Sequence, residues 1–233
     1  ESALGGCDLL AANVGVQRIG HTDALTRDDW QWVIGVNVLG TVETVRAFLP
    51  LLRTSGDAHV LFTGSMSSIL SSPRLAAYTA SKMAVLGYAE TLRIELAPES
   101  IGVTALLPAG MATSHLDSSA AARPASLGRT PDLTSEDVDA VVAMLASSPD
   151  AMVSPEHAMR DLLPALRENR PYVVTHVPNR PHVEARFRAL LDAFDRAGRP
   201  LLHRNHEPLE LGLLPLFGNV AEQITHETRH RLE

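Results

Sequence analysis

His59-Val-Leu-Phe-Thr-Gly-Ser65 is followed directly by Met66-Ser-Ser-Ile-Leu-Ser-Ser-Pro-Arg-Leu-Ala-Ala-Tyr78-Thr-Ala-Ser-Lys82. This reads as a buried strand ending on a hydroxyl, then a loop, then the start of a helix running from about Leu75 to Ala97. Tyr78 and Lys82 are four residues apart, so a helix places them on one face, a turn from each other. A free tyrosine has a pKa of about 10 and carries protons poorly at neutral pH. An ammonium close by favours the phenolate and is expected to lower that value. Ser65 at the strand end would turn its hydroxyl toward the same cleft. Alone, Tyr-x-x-x-Lys describes many surface helices, so the reading rests on what surrounds it.

Working outward, three more apolar runs read as parallel strands. Cys7-Asp-Leu-Leu-Ala-Ala-Asn13-Val-Gly15 ends in a polar turn. Ile101-Gly-Val-Thr-Ala-Leu-Leu107 ends at Pro108-Ala-Gly110-Met-Ala-Thr113, and Pro171-Tyr-Val-Val-Thr-His176 is the fourth. Helices are expected between them. Thr26 precedes Arg27-Asp28-Asp29 as a cap with acids in the first turn, opening a helix over Asp28–Arg53 in which Pro50 should cause a kink or an early stop. Asn37 lies inside this helix among apolar neighbours, which implies a buried amide in need of partners. Pro98 marks the end of the Tyr78 helix. Residues Ser114–Pro131 lack periodicity and read as a mobile loop. Thr134 caps a helix over Ser135–Ala146, Ser154-Pro155-Glu156 starts one reaching about Glu168, and Pro181–Ala197 is an amphipathic helix.

Alternating strands and helices predict an α/β protein, a Rossmann-like three-layer α/β/α parallel sheet whose ligands bind beyond the strand C-termini. Asn13, Gly15, Ser65, Pro108 and Thr113 all fall at such ends. The expected organisation is one catalytic domain over residues 1–200, with 109–153 covering the substrate, and a helical C-terminal extension over 201–233.

Composition excludes other classes. The chain has 233 residues, 45% apolar and 20% charged, with a net charge of −7. That suits a soluble globular protein and argues against a nucleic-acid surface, which needs a basic patch. Cys7 is the one cysteine, so no intrachain disulfide forms and a reducing, cytoplasmic setting is expected. No unbroken apolar run reaches the roughly 18 residues of a membrane span.

Taken together, Ala12-Asn13-Val14-Gly15, Asn37, Ser65, Tyr78-Thr-Ala-Ser-Lys82 and Pro108-Ala-Gly-Met-Ala-Thr113 resemble, in order and spacing, the short-chain dehydrogenase/reductase family over about residues 4–176. The resemblance implies an NAD- or NADP-dependent oxidoreductase acting on a secondary alcohol or its ketone. Tyr78 would be the general acid/base, Lys82 would hold the nicotinamide ribose and tune Tyr78, Ser65 would bind the substrate oxygen, and Asn37 would hold a water in a proton relay. Asn13 and Gly15 would line the adenosine-ribose side of the cofactor cleft. Pro108, Gly110, Met111 and Thr113 would border the nicotinamide. Family members are usually dimers or tetramers, here through the helices Asp28–Arg53 and Leu75–Ala97, whose apolar stripes that would explain.

The chain departs from the family in Ala12 and Val14, where Asn and Ala are usual, and in Ala109 after the proline, where glycine is usual. It also lacks the opening strand and Gly-rich turn that cradle a pyrophosphate. The expectation is that about 70 residues, three strands with their helices, are lost before Glu1, leaving the first strand as a bare sheet edge.

Three other readings compete with this one. His226-Glu-Thr-Arg-His230 matches the H-E-x-x-H zinc signature, but only three residues follow it and its surroundings are polar. A solvated helix is expected there and no metal. A truncated homologue serving as a binding or assembly subunit would have no need for Asn37, Ser65, Tyr78 and Lys82 together. Epimerases or dehydratases with the same Tyr/Lys pair usually carry a larger C-terminal substrate domain. For the substrate, Met111, His115, Leu116, Met144 and Met152 suggest a bulky, largely apolar alcohol or ketone. The apolar tail Leu201–Phe217 would cover the pocket or pack on a second subunit.

Overall fold

The protein's structure, a computed structural model, describes residues 6–146 and 152–197, with the backbone alone for 144–146. The tail Leu201–Phe217, the His226–His230 motif and the side chain of Met144 lie outside the described residues. Two compact units are distinguished, Glu1–Ala189 and Leu190–Glu233, and the first holds every residue of the site described below.

Among the described residues, four strands form one parallel sheet in the order β1 (Leu9–Ala12), β2 (His59–Thr63), β3 (Gly102–Leu107) and β4 (Tyr172–Val174). Register pairs Leu10 with Val60, Val60 with Val103, and Leu106 with Val173. Side chains alternate between the two faces of each strand. Leu10, Ala12, Val60, Phe62, Val103, Ala105 and Leu107 point to one layer, where Val45, Leu52, Val85, Ala89, Leu92 and Leu96 meet them. Leu61, Leu106 and Val173 point to the other, against Leu162, Ala165 and Leu166. The apolar stripes of the two long helices are therefore taken up largely by the chain's own sheet. Residues Leu39, Phe48 and Ile94 remain exposed. Leu9 and Ala11, on the second face of β1, are also exposed.

The first long helix differs from the expectation in an instructive way. Thr26 caps α1 (Arg27–Ile34) in a full capping box with Asp29. The helix then widens to a π-helical segment over Gly35–Leu39 and continues as α2 (Gly40–Thr54). The Gly40 N–H bonds the Gly35 carbonyl, five residues back. One extra residue per turn rotates the following stripe and turns Asn37 inward. Pro50 neither stops nor ends the helix, because Leu49 and Leu52 hold its last turn against the core. Arg27–Thr54 as a whole is long and apolar enough to cross a membrane by composition, but Trp32, Val33, Val45 and Leu52 are buried in the protein's own cores.

The Tyr78 helix, α3 (Ala76–Leu96), is followed by a short 3-10 turn over Ala97–Glu99, where Pro98 stands. The segment expected as a mobile loop instead holds α4 (His115–Ala121) and a 3-10 turn at Ala125–Leu127. Tertiary anchors fix it. Arg123 donates to the Asp29 carboxylate at 2.6 Å and lies 5.3 Å over the Trp32 ring, and Ser119 Oγ accepts from the Gln17 N–H. Burial alone would raise the Asp29 pKa, but bonds from the Thr26 backbone and from Arg123 outweigh it and hold the carboxyl below its usual value.

Helix α5 (Ser135–Ala146) starts where Thr134 predicts, with Thr134 and Asp137 exchanging bonds. The helix expected from Pro155 to Glu168 is two, α6 (Pro155–Met159) and α7 (Leu162–Arg167). Pro164 has no N–H to continue a helix through Arg160, so the chain restarts with Pro164 in a first turn, where none is needed. Helix α8 (Arg180–Ala197) follows β4.

Candidate active site

Ser65 stands two residues beyond β2, on the sheet's C-terminal rim. Gly64 makes the approach possible. A Cβ there would come within 2.9 Å of Leu107 Cδ2 and 3.1 Å of the Leu106 carbonyl. Ser65 caps a 3-10 turn over Met66–Ser68, its Oγ accepting from the Ser67 N–H at 3.0 Å. Ser68 Oγ accepts from the Ser65 N–H and donates to the Lys82 carbonyl at 2.8 Å. This hydroxyl ties the strand end to α3, so Ser65 and Lys82 cannot drift apart independently.

Tyr78 and Lys82 share one face of α3, as their spacing predicts. Lys82 is 4% exposed. Its Nζ donates to the Thr63 carbonyl at 2.8 Å and lies 5.8 Å from the centre of the Tyr78 ring. Burial pulls its pKa from 10.5 down to about 8. Tyr78 is shifted the opposite way from the expectation. Burial raises its pKa, and a hydrogen bond with Ser65 only partly offsets this. Lys82 does not overcome that burial, its ammonium being directed at the Thr63 carbonyl. Tyr78 is thus a phenol at neutral pH, a proton donor.

Asn37 is 1% exposed, and its amide is fully engaged by protein. Oδ1 accepts from the Val16 N–H at 2.7 Å, while Nδ2 donates to the Val16 carbonyl and to Ser81 Oγ, both at 2.8 Å. Ser81 in turn donates to the Tyr78 carbonyl. The Asn37 carbonyl accepts from Thr41 Oγ1. The amide clasps the chain that leaves β1 onto α3. This brings Gly15 so near that a Cβ there would lie 3.3 Å from Lys82 Nζ. Asn13 is exposed, its Oδ1 accepting from Thr63 Oγ1 at 2.9 Å.

Beyond β3, the buried Pro108 accepts from the Met66 N–H at 2.7 Å. Gly110 and Ala112 exchange backbone bonds with Val153, on either side of half-buried Met111. Thr113 is exposed. Of the residues expected to meet the substrate, His115 lies against Tyr78 with ring centres 6.0 Å apart. Leu116 and Met152 are 49% and 50% exposed. A cavity of about 480 Å³ opens beside the start of α3, lined by Gly20, His21, Ser72, Arg74, Ala76 and Ala140, but not by Ser65, Tyr78 or Lys82. Sequence reasoning missed Ser68 and Ser81. Their only signal was position, one in the loop after the strand and one directly before Lys82. Among the described residues no group of three His, Cys, Asp or Glu side chains could hold a metal ion.

Residues 1–124 match the family described as short chain dehydrogenase. The chain belongs to this family. Among its relatives, the C alpha-dehydrogenase of Sphingobium sp. (strain NBRC 103272 / SYK-6) is 27% identical over 186 residues, which are 79% of this chain and 60% of that protein. The human 17-beta-hydroxysteroid dehydrogenase type 1 is 39% identical over 94 residues, 40% of this chain and 29% of that one. The chain thus spans less than two thirds of the length of these relatives. A crystal structure of a short chain dehydrogenase/reductase from Burkholderia phymatum, in complex with NAD, superposes with a TM-score of 0.74 at 28% identity, covering 90% of this chain and 72% of that one.

Short-chain dehydrogenases work with a nicotinamide dinucleotide, and the residues here fit one end of it. Lys82 spends one of its three N–H donors on Thr63 and has two left for a ribose diol. The backbone at Gly15 passes close beside it without a side chain. Among the described residues, no Gly-rich turn joins a strand to a helix, so no group for the pyrophosphate is assigned.

The Lys82 shift makes a stability prediction. The folded state releases its proton near pH 8 and the unfolded state near 10.5. Below 8 both hold the proton, and the folded state carries the full burial cost. Between the two values the unfolded state binds more protons, so stability rises with pH until both are neutral. Relative to Lys82→Met, the wild type should gain about 3 kcal/mol between neutral pH and the top of that window, read from paired urea unfolding curves. A pH-independent difference would mean that Lys82 stays hydrated.

Proposed function

We propose that the protein is an NAD- or NADP-dependent oxidoreductase interconverting a secondary alcohol and its ketone. The observation that carries this reading is the convergence of the Ser65 hydroxyl, the Tyr78 phenol and the Lys82 ammonium at the end of β2. In the reducing direction, Ser65 and Tyr78 donate to the carbonyl oxygen and steady its developing charge, and Tyr78 passes its proton to that oxygen. A bound nicotinamide supplies or accepts the hydride. Lys82 holds the ribose and stands ready to return a proton toward Tyr78, a role suited to an amine with a pKa of about 8. Asn37 and Ser81 fix the α3 backbone on which both side chains stand. In this reading Pro108, Gly110, Met111 and Thr113 border the nicotinamide, and Asn13 and Gly15 the adenosine side.

A largely apolar substrate is supported by half-buried Met111 and by the lack of carboxylates among the site contacts described above. Exposed Leu39, Phe48 and Ile94 support assembly into a homodimer or homotetramer, and the single cysteine fits a cytoplasmic setting.

The test is turnover of secondary alcohols with NAD⁺ and NADP⁺, and of the matching ketones with the reduced forms, followed by nicotinamide absorbance. Cofactor-dependent turnover is expected with one of the two. A folded protein that neither turns over these compounds nor binds NADH or NADPH overturns the reading.

A further inference from the structure

His115 is unlike the other polar groups around Tyr78. Ser65 bonds Ser67 and Tyr78, and Lys82 bonds Thr63. The Nε2 of His115 is closed off from solvent and has no hydrogen-bond partner among the described residues. Leaving such a nitrogen unsatisfied costs about 1–3 kcal/mol, and buried polar groups in native proteins are rarely left so.

The placement is held from several sides. The His115 carbonyl accepts from Ser119 Oγ at 2.7 Å and from Ser118 Oγ at 3.2 Å. Ser119 is buried and receives the Gln17 N–H, and Arg123 binds the same segment to Asp29. The ring is tilted 54° to that of Tyr78, with centres 6.0 Å apart. Burial first, and then the Lys82 charge, lower the His115 pKa, so the ring is neutral at pH 7. A neutral imidazole offers one N–H donor and one bare acceptor. The ring contact places His115 beside the residue on which a reacting oxygen would sit.

Resting on the oxidoreductase reading, we infer that His115 is a specificity residue that hydrogen-bonds a second oxygen of the substrate, carried near the reacting carbon. The substrate class is then glycols, hydroxy ketones or alkoxy alcohols with an apolar body, rather than plain secondary alcohols. A site with a buried polar group selects strongly for the ligand that satisfies it, because the analogue lacking that oxygen leaves the group bare.

The probes are styrene glycol and methylphenylcarbinol, which differ by one hydroxyl. In the full chain with its preferred nicotinamide, kcat/KM should favour the glycol at least tenfold. His115→Phe should lower kcat/KM for the glycol about tenfold more than for the carbinol, mainly through KM, and His115→Asn should recover part of the preference. Independently of turnover, the imidazole nitrogen signals of His115 in labelled protein should move on titration with the glycol and much less with the carbinol. Ring signals that move equally, or with neither probe, overturn the assignment and point to a bound water as the partner of Nε2. Loss of turnover in Tyr78→Phe with an unchanged glycol preference in His115→Phe also overturns it, leaving the oxidoreductase reading intact. Full turnover in Tyr78→Phe is the failure of that reading instead.

Discussion

Tyr78→Phe should cost between a hundredfold and ten-thousandfold in kcat, the usual contribution of a positioned general acid, with little change in KM. The substitution removes one oxygen and keeps the ring, so the contacts with His115 and with the Lys82 ammonium survive. Burial raises the Tyr78 pKa and so keeps the group protonated through neutral pH. In the proposed reaction, deleting it removes the proton that the ketone oxygen receives, and no neighbour replaces it. Ser65 is a far weaker acid, and Lys82 is directed at the Thr63 carbonyl. The fold should hardly notice. Ser65 loses one partner but keeps the Ser67 N–H, so the melting transition should move by no more than about 1 kcal/mol. The measurement is a pair of Michaelis curves beside a pair of thermal melts. A variant with near-normal kcat removes Tyr78 from the chemistry. A variant that loses both activity and stability makes it a packing residue.

The sequence carried the parts of this site that depend on local geometry. Ser65 falls just beyond a strand because Val60–Phe62 is apolar and the strand is followed by Gly64. Tyr78 and Lys82 share a helix face because they are four apart. Thr26 and Thr134 are caps whose chemistry is written in the adjacent acids. What stayed hidden depends on distant partners. The helix α4 lies in a stretch of small polar residues with no apolar period, and it is fixed by Arg123 on Asp29 and Ser119 on Gln17, 94 and 102 residues away. The π-helical turn at Gly35–Leu39 inserts no unusual residue, and only the inward amide of Asn37 hints at it. The direction of the Tyr78 shift is not in the spacing, which gives the distance to Lys82 but not the water excluded around both. The break between α6 and α7 is written in Pro164, although the apolar pattern runs on across it.

Asn37→Leu should destabilise the protein by about 3–5 kcal/mol, at the upper end of single substitutions. Leucine matches asparagine in size but can neither give nor accept a hydrogen bond. The loss strands the Val16 N–H and carbonyl together, both buried at the point where the chain leaves β1. It also frees Ser81 Oγ from one of its two bonds. Each stranded group costs about 1–3 kcal/mol, since water cannot enter a site this closed to replace the amide. The damage is not local to Val16. The clasp holds Gly15 against Lys82 Nζ, so its release should loosen the ammonium that organises the site, and activity should fall even under conditions where the variant is still folded. Asn37→Asp separates the two effects. It keeps an acceptor for the Val16 N–H but loses the donor to the Val16 carbonyl while the carboxyl is ionised. A protonated carboxyl can donate again, so this variant should recover stability relative to the wild type as the pH is lowered. Urea unfolding of wild type, Asn37→Leu and Asn37→Asp at neutral and mildly acidic pH checks both statements. A cost below about 1 kcal/mol for the leucine variant would mean that water reaches Val16, and that the π-helical turn serves something other than this clasp.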